Sequence, residues 1–78
     1  MINLDNMKLS RHAQKQIKWR KITEKEIEET IINHDRLEDS IKERKNAFKL
    51  IGNRLLKITY KIENDDIIIV TAIVKGER

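Results

Sequence analysis

The sequence predicts an α+β domain, with two N-terminal helices packed on one face of a three- to four-stranded antiparallel sheet. Three observations predict it. A capped amphipathic stretch over residues 11–20 is followed by Thr23-x-x-Glu26, which opens a second helical line. Beyond Leu37 the apolar pattern changes from helical to alternating. Gly52-Asn53 then separates two apolar-rich runs, as a tight hairpin does. With 78 residues, the chain forms one domain, 1–78, around one small core.

Ser10 is a good N-cap for the first helix, over 11–20. With about 100° of turn per residue, Leu9, Ala13 and Ile17 form a narrow apolar stripe. Lys8, Arg11, Lys15 and Lys18 lie opposite, and His12, Gln16 and Trp19 occupy the boundary. Thr23 and Glu26 make a capping box for the second helix, with Ile22 and Ile27 as its hydrophobic staple. Glu24, Glu26, Glu28 and Glu29 place negative charge where the helix dipole favours it, and the helix ends near Asn33.

An early strand falls over 37–44. A two-residue turn at Gly52-Asn53 then pairs Ile51 with Arg54 and Lys49 with Leu56. One face of this hairpin carries Ala47, Ile51, Leu56, Ile58 and Tyr60. The other carries Phe48, Leu50, Leu55, Lys57, Thr59 and Lys61. A second turn lies at Glu63–Asp66, and residues 67–74 (IIIVTAIV) read as a central strand covered on both sides. Two helices cover one face of such a sheet. The patch of Phe48, Leu50 and Leu55, beside Lys57 and Lys61, is left for a protein partner or for a second copy in a homodimer.

Composition excludes several classes. There is no cysteine, hence no disulfide and no thiolate metal site. His12 and His34 match no metal-ligand spacing, and two glycines make no phosphate loop, so neither metal nor cofactor is expected. No apolar run approaches the roughly 20 residues that span a bilayer, and no signal-peptide core opens the chain. The expectation is a cytoplasmic protein without a membrane partner. The 4% aromatic content argues against a sheet that stacks several bases. Residues 7–23 carry six cations and no acid, 24–43 carry eight acids against three cations, and 44–61 carry six cations alone. Such a dipolar surface attracts a polyanion or an acidic protein, or it is a mixed-charge surface that keeps the protein in solution.

Ser10-x-His12-Ala13, then Arg20 and Ile22, the capped acidic helix, the Gly52 hairpin ending in Ile58-Thr59-Tyr60, and IIIVTAI after it resemble a known pattern. It is that of a small, uncharacterised Ser-x-His-Ala branch of the RelE/ParE-like toxin superfamily, similar to BrnT-type toxins. The resemblance runs from about Leu9 to Val74. It implies a toxin of a type II toxin–antitoxin pair acting on mRNA or the ribosome by metal-independent RNA cleavage, with a cognate antitoxin covering the sheet. The alternative is a catalytically silent RelE-fold binding or homodimeric interaction protein. The sequence departs from the branch at Gln16, in place of an arginine four residues after the histidine, and at Lys21, in place of glycine.

Metal-independent RNA cleavage needs a base for the 2′-hydroxyl, an acid for the leaving oxygen, and cations around the phosphate. His12, Tyr60 and Arg54 are the candidate catalytic residues. Lys15, Arg20, Lys57 and Lys61 are candidates for nucleic-acid binding, and Phe48, Leu50 and Leu55 for partner binding. Each has a plainer reading: His12 as a helix-flank histidine, Tyr60 as core, the cations as solvated surface, and Trp19, which could stack a base, as a residue packed against the sheet or a partner. His34, at a helix end, reads as a structural cap.

Overall fold

The computed structural model describes residues 7–77. Along the chain run β1 (Met7–Leu9), α1 (Arg11–Arg20), α2 (Glu24–Ile32), β2 (Arg36–Asp39), β3 (Lys45–Ile51), β4 (Arg54–Glu63) and β5 (Asp66–Glu77). The strands form one sheet in the order β1-β5-β4-β3-β2. The antiparallel three- to four-stranded sheet under two helices is thereby corrected. The sheet has five strands and is mixed, because β1 pairs with β5 in parallel, Met7 opposite Ile67 and Leu9 opposite Ile69. Three residues are too few to show alternation, and the partner of β1 lies at the far end of the chain, so no local pattern announces this strand. The α+β class stands.

Both helices form where their caps put them. The Ser10 hydroxyl accepts the Ala13 N–H, and Thr23 and Glu26 close the full capping box. Helix α1 ends on Lys21, which takes the left-handed conformation (φ 56°, ψ 45°) that favours glycine. The first hairpin turn is built on Gly52 at φ 62°. The second has positive φ at both Asn64 and Asp65, residue types that tolerate it.

The expected hairpin register is the one observed, with Ile51 opposite Arg54 and Lys49 opposite Leu56. Buried Ala13, Ile22, Ile27 and Ile31 from the helices join Ala47, Leu56, Ile58, Tyr60, Ile67, Ile69 and Ala72 from the strands in one core. Strand β5 is not covered on both sides: Ile67, Ile69 and Ala72 are buried, while Ile68, Val70 and Ile73 are half-buried. Strand β2 starts at Arg36, and all four of its residues are exposed.

Where β1 stops, α1 takes over the edge of β5. The Ser10 N–H donates to the Ile69 carbonyl at 3.0 Å, the Ser10 hydroxyl donates to the Val70 carbonyl at 3.0 Å, and Gln16 Oε1 accepts the Ala72 N–H at 3.0 Å. Backbone groups that a longer β1 would have paired are satisfied by one helix end and two side chains. The opposite edge is treated alike: Asp35 Oδ2 accepts the Leu50 N–H at 3.0 Å, beyond the last residue paired to β2.

Candidate functional site

The outer face of α1 is the most unusual surface. Trp19 is 78% exposed, although burying its large ring would stabilise the fold, and the Arg20 guanidinium lies over it, 5.1 Å from the ring centroid. His12, Arg11, Lys15 and Lys18 are exposed on the same helix, which has no acid in its sequence. Among the described residues His12 has no hydrogen-bond partner. In the Ser-x-His-Ala motif, then, Ser10 caps the helix and ties it to β5, Ala13 is fully buried, and only His12 serves no visible purpose in the fold.

The other two candidate catalytic residues do not join it. Arg54 Nη1 donates to the Arg20 carbonyl at 3.0 Å, and Nη2 donates to both Glu26 carboxylate oxygens at 3.0 and 3.2 Å. Burial would raise the Glu26 pKa, but the Thr23 N–H and the Arg54 guanidinium outweigh it and hold the carboxyl below its ordinary range. Arg54 thus locks the start of β4 to the α1–α2 junction and has little left to offer a phosphate. Tyr60 is 3% exposed, and burial pushes its hydroxyl pKa up, Lys45 opposing. Arg54 and Tyr60 are also separated along β4 by about 20 Å, at roughly 3.3 Å per residue.

The remaining candidates divide. Lys15 is exposed on α1 and Arg20 is half-buried, its Nε enclosed without a partner among the described residues. Lys57 and Lys61 lie on the side of β4 that points away from the core. There Lys57 Nζ sits 5.9 Å from the Phe48 ring centroid and Lys61 pairs with Glu63 at 3.0 Å. Phe48, Leu50 and Leu55 are brought together as expected from register, Leu50 opposite Leu55. Phe48 itself is buried, not exposed as a patch residue would be, with the Arg36 guanidinium 4.7 Å from its ring centroid, and a hollow of about 270 Å³ opens between Arg36, Phe48, Leu55 and Lys75.

One grouping escaped the sequence reading. Tyr60, His34 and Lys45 line a common groove of about 490 Å³, bounded by Ile32, Leu37 and Ile62. Two signals could have found it. The hairpin register that sets Ile51 against Arg54 also sets Lys45 against Tyr60, and α2 ends at Ile32, two residues before His34. Among the described residues no cluster of three His, Cys, Asp or Glu side chains could hold a metal ion, and no helix is long and apolar enough to cross a membrane.

Fold and surface together define a small α+β domain with a mixed five-stranded sheet and a basic, Trp-bearing helix held against one strand edge. The chain belongs to the family described as "Domain of unknown function (DUF4258)", whose model matches residues 9–74. No curated protein and no solved structure matches it. The matched span begins at Leu9, so it takes in the Ser10 weld, the α1 face and the groove alike.

Proposed function

We propose that the protein is a RelE-like, toxin-type domain that acts on RNA, in the cytoplasm, through the outer face of α1. The observation that carries this reading is Trp19, 78% exposed on an acid-free helix beside Lys15, Lys18 and the exposed His12. Lys15, Lys18 and Arg11 neutralise backbone phosphates and hold the strand, and the indole stacks on an unpaired base. The reading is binding first. Tyr60 is in the core and Arg54 is engaged by Glu26, so a His12–Tyr60–Arg54 machinery has no support. The unbonded His12 ring favours a second reading, in which it takes the 2′-hydroxyl proton as that oxygen attacks phosphorus and returns it to the 5′-oxygen as the P–O5′ bond breaks. An acidic antitoxin would cover the face that carries Phe48, Leu50 and Leu55 beside Arg36 and Lys57.

Trp19 is the chain's one tryptophan, so intrinsic fluorescence reports directly on this site. A single-stranded oligoribonucleotide should quench it on binding. With about three phosphate contacts and a slope near −0.7 per contact, affinity should fall roughly 15- to 20-fold between 50 and 200 mM salt. Trp19→Ala should weaken binding by about 1–3 kcal/mol. Absence of both quenching and salt-sensitive binding would overturn the proposal. If RNA is cut, loss of cutting in His12→Ala with binding retained establishes the second reading, and undiminished cutting removes it.

A further inference from the structure

The groove at the end of α2 is independent of the α1 surface, because its lining comes from α2, β2, β3, β4 and His34. A cavity of about 490 Å³ falls within the roughly 300–1,000 Å³ of small-molecule sites, and such sites combine apolar walls with a few convergent polar groups. Here the walls are aliphatic, and Ile32, Ile62 and Leu37 are 54%, 53% and 39% exposed, so water covers apolar surface that a ligand could cover instead.

The polar groups define the head of that ligand. Tyr60 is 3% exposed, yet among the described residues its hydroxyl has no hydrogen-bond partner, unlike most buried tyrosines. Among the described residues the enclosed polar atoms without partners are the Nε atoms of Arg20 and Arg44, so the Tyr60 hydroxyl keeps an outlet to solvent, and Tyr60 lines the groove. Lys45 stands opposite Tyr60 on the adjacent strand. Its ammonium already receives a carboxylate, that of Asp39 at 2.7 Å, but the Asp39 side chain is 87% exposed and the pair is a surface contact that a ligand can displace. His34 Nδ1 is 3.1 Å from the Ile31 carbonyl and donates to it, which leaves Nε2 as an acceptor in the neutral ring.

We propose that this groove binds a small amphipathic carboxylate, its apolar body along Ile32, Leu37 and Ile62 and its carboxylate between the Tyr60 hydroxyl and the Lys45 ammonium. Two adjacent donors, one of them charged, suit an anionic acceptor, and charge-assisted bonds are the stronger kind. The walls ask for a flexible chain or single ring, not a second charge.

The test uses the full chain and three probes of one length, octanoate, octanol and octylamine, each below its aggregation concentration. Binding is followed by amide chemical shifts and by calorimetry. Octanoate should bind saturably, with shifts at residues 31–37, 45 and 60, about tenfold or more tighter than octanol, and octylamine should bind weakest. Lys45→Met, which keeps the aliphatic stem at a part-exposed position, should abolish the preference for octanoate over octanol. Tyr60→Phe, which removes one oxygen from an otherwise unchanged ring, should weaken octanoate several-fold, with Tm as the control for folding. Equal affinity for octanoate and octanol, shifts confined to the Phe48 face, an undiminished preference in Lys45→Met, or no saturable binding would each overturn the assignment. None of these results bears on RNA binding by α1.

Discussion

Replacing Arg54 by alanine removes three bonds at once: one to the Arg20 carbonyl and a two-pronged contact with the Glu26 carboxylate. A hydrogen bond involving a charged group contributes about 1.5–3 kcal/mol. The two side chains are 23% and 21% exposed, enough for water to replace part of what is lost. Glu26 also keeps its Thr23 bonds and stays charged. A net loss of about 2–3 kcal/mol follows, and for a domain of this size each kcal/mol lowers Tm by roughly 4–8 °C, so a fall of about 10–20 °C is expected. The pH dependence supplies a second signature. Glu26 titrates below its ordinary value of 4.5 in the folded protein. Its contribution is therefore full above about pH 4.5 and is lost as the pH falls through the folded pKa. Arg54→Ala weakens that depression, so the variant should lose less further stability below pH 4.5 than the parent does. Circular-dichroism melts from pH 3 to 7 measure both quantities. A fall in Tm of less than about 4 °C at pH 7, with an unchanged acid limb, would refute the reasoning. Arg54 would then be free to hold a phosphate, as the sequence alone allowed.

Two further substitutions probe the frame of the α1 face. Gln16→Leu keeps the bulk but strands the Ala72 N–H, which should cost about 1–2 kcal/mol and speed hydrogen exchange at that amide; unchanged exchange would show that another group satisfies it. Lys21→Gly relieves the left-handed strain but frees the unfolded chain, so a net gain of about 0.5 kcal/mol and a rise in Tm of about 2–4 °C are expected, and a fall would mean that the φ of 56° is not strained.

Local chemistry was legible wherever the residues that decide it are neighbours. The capping box needs only Thr23 and Glu26, and the Gly52 turn sets the β3–β4 register by itself. From that register the core face of the hairpin follows by alternation, down to Tyr60. Strand β1 was illegible because its three residues gain their meaning from Ile67–Ile69, at the other end of the chain. The same holds for the site. Arg54 looked like a strand cation because nothing near it in sequence reveals Glu26 or the Arg20 carbonyl as its partners. Trp19 looked like a packing residue because helical spacing gives its line but not whether anything packs on that line.

These misreadings share a cause, and it bears on function. Polar residues that a motif marks as chemical are often engaged in closing the fold. Ser10, Gln16 and Arg54 each hold a backbone group or carboxylate that the short β1 and the tight α1–α2 junction would otherwise leave exposed. Gln16 is the clearest case. It reaches the Ala72 N–H, for which an acceptor is required, and an arginine guanidinium in its place would have none to offer. Helix α1 is therefore fixed to the β5 edge by residues of one side, and the side it turns outward is defined without reference to packing. His12, Lys15, Lys18 and Trp19 occupy that outward side, and no described residue of the core depends on them. Substitutions there can change binding without changing stability, and this separation is what makes the α1 surface open to decisive test.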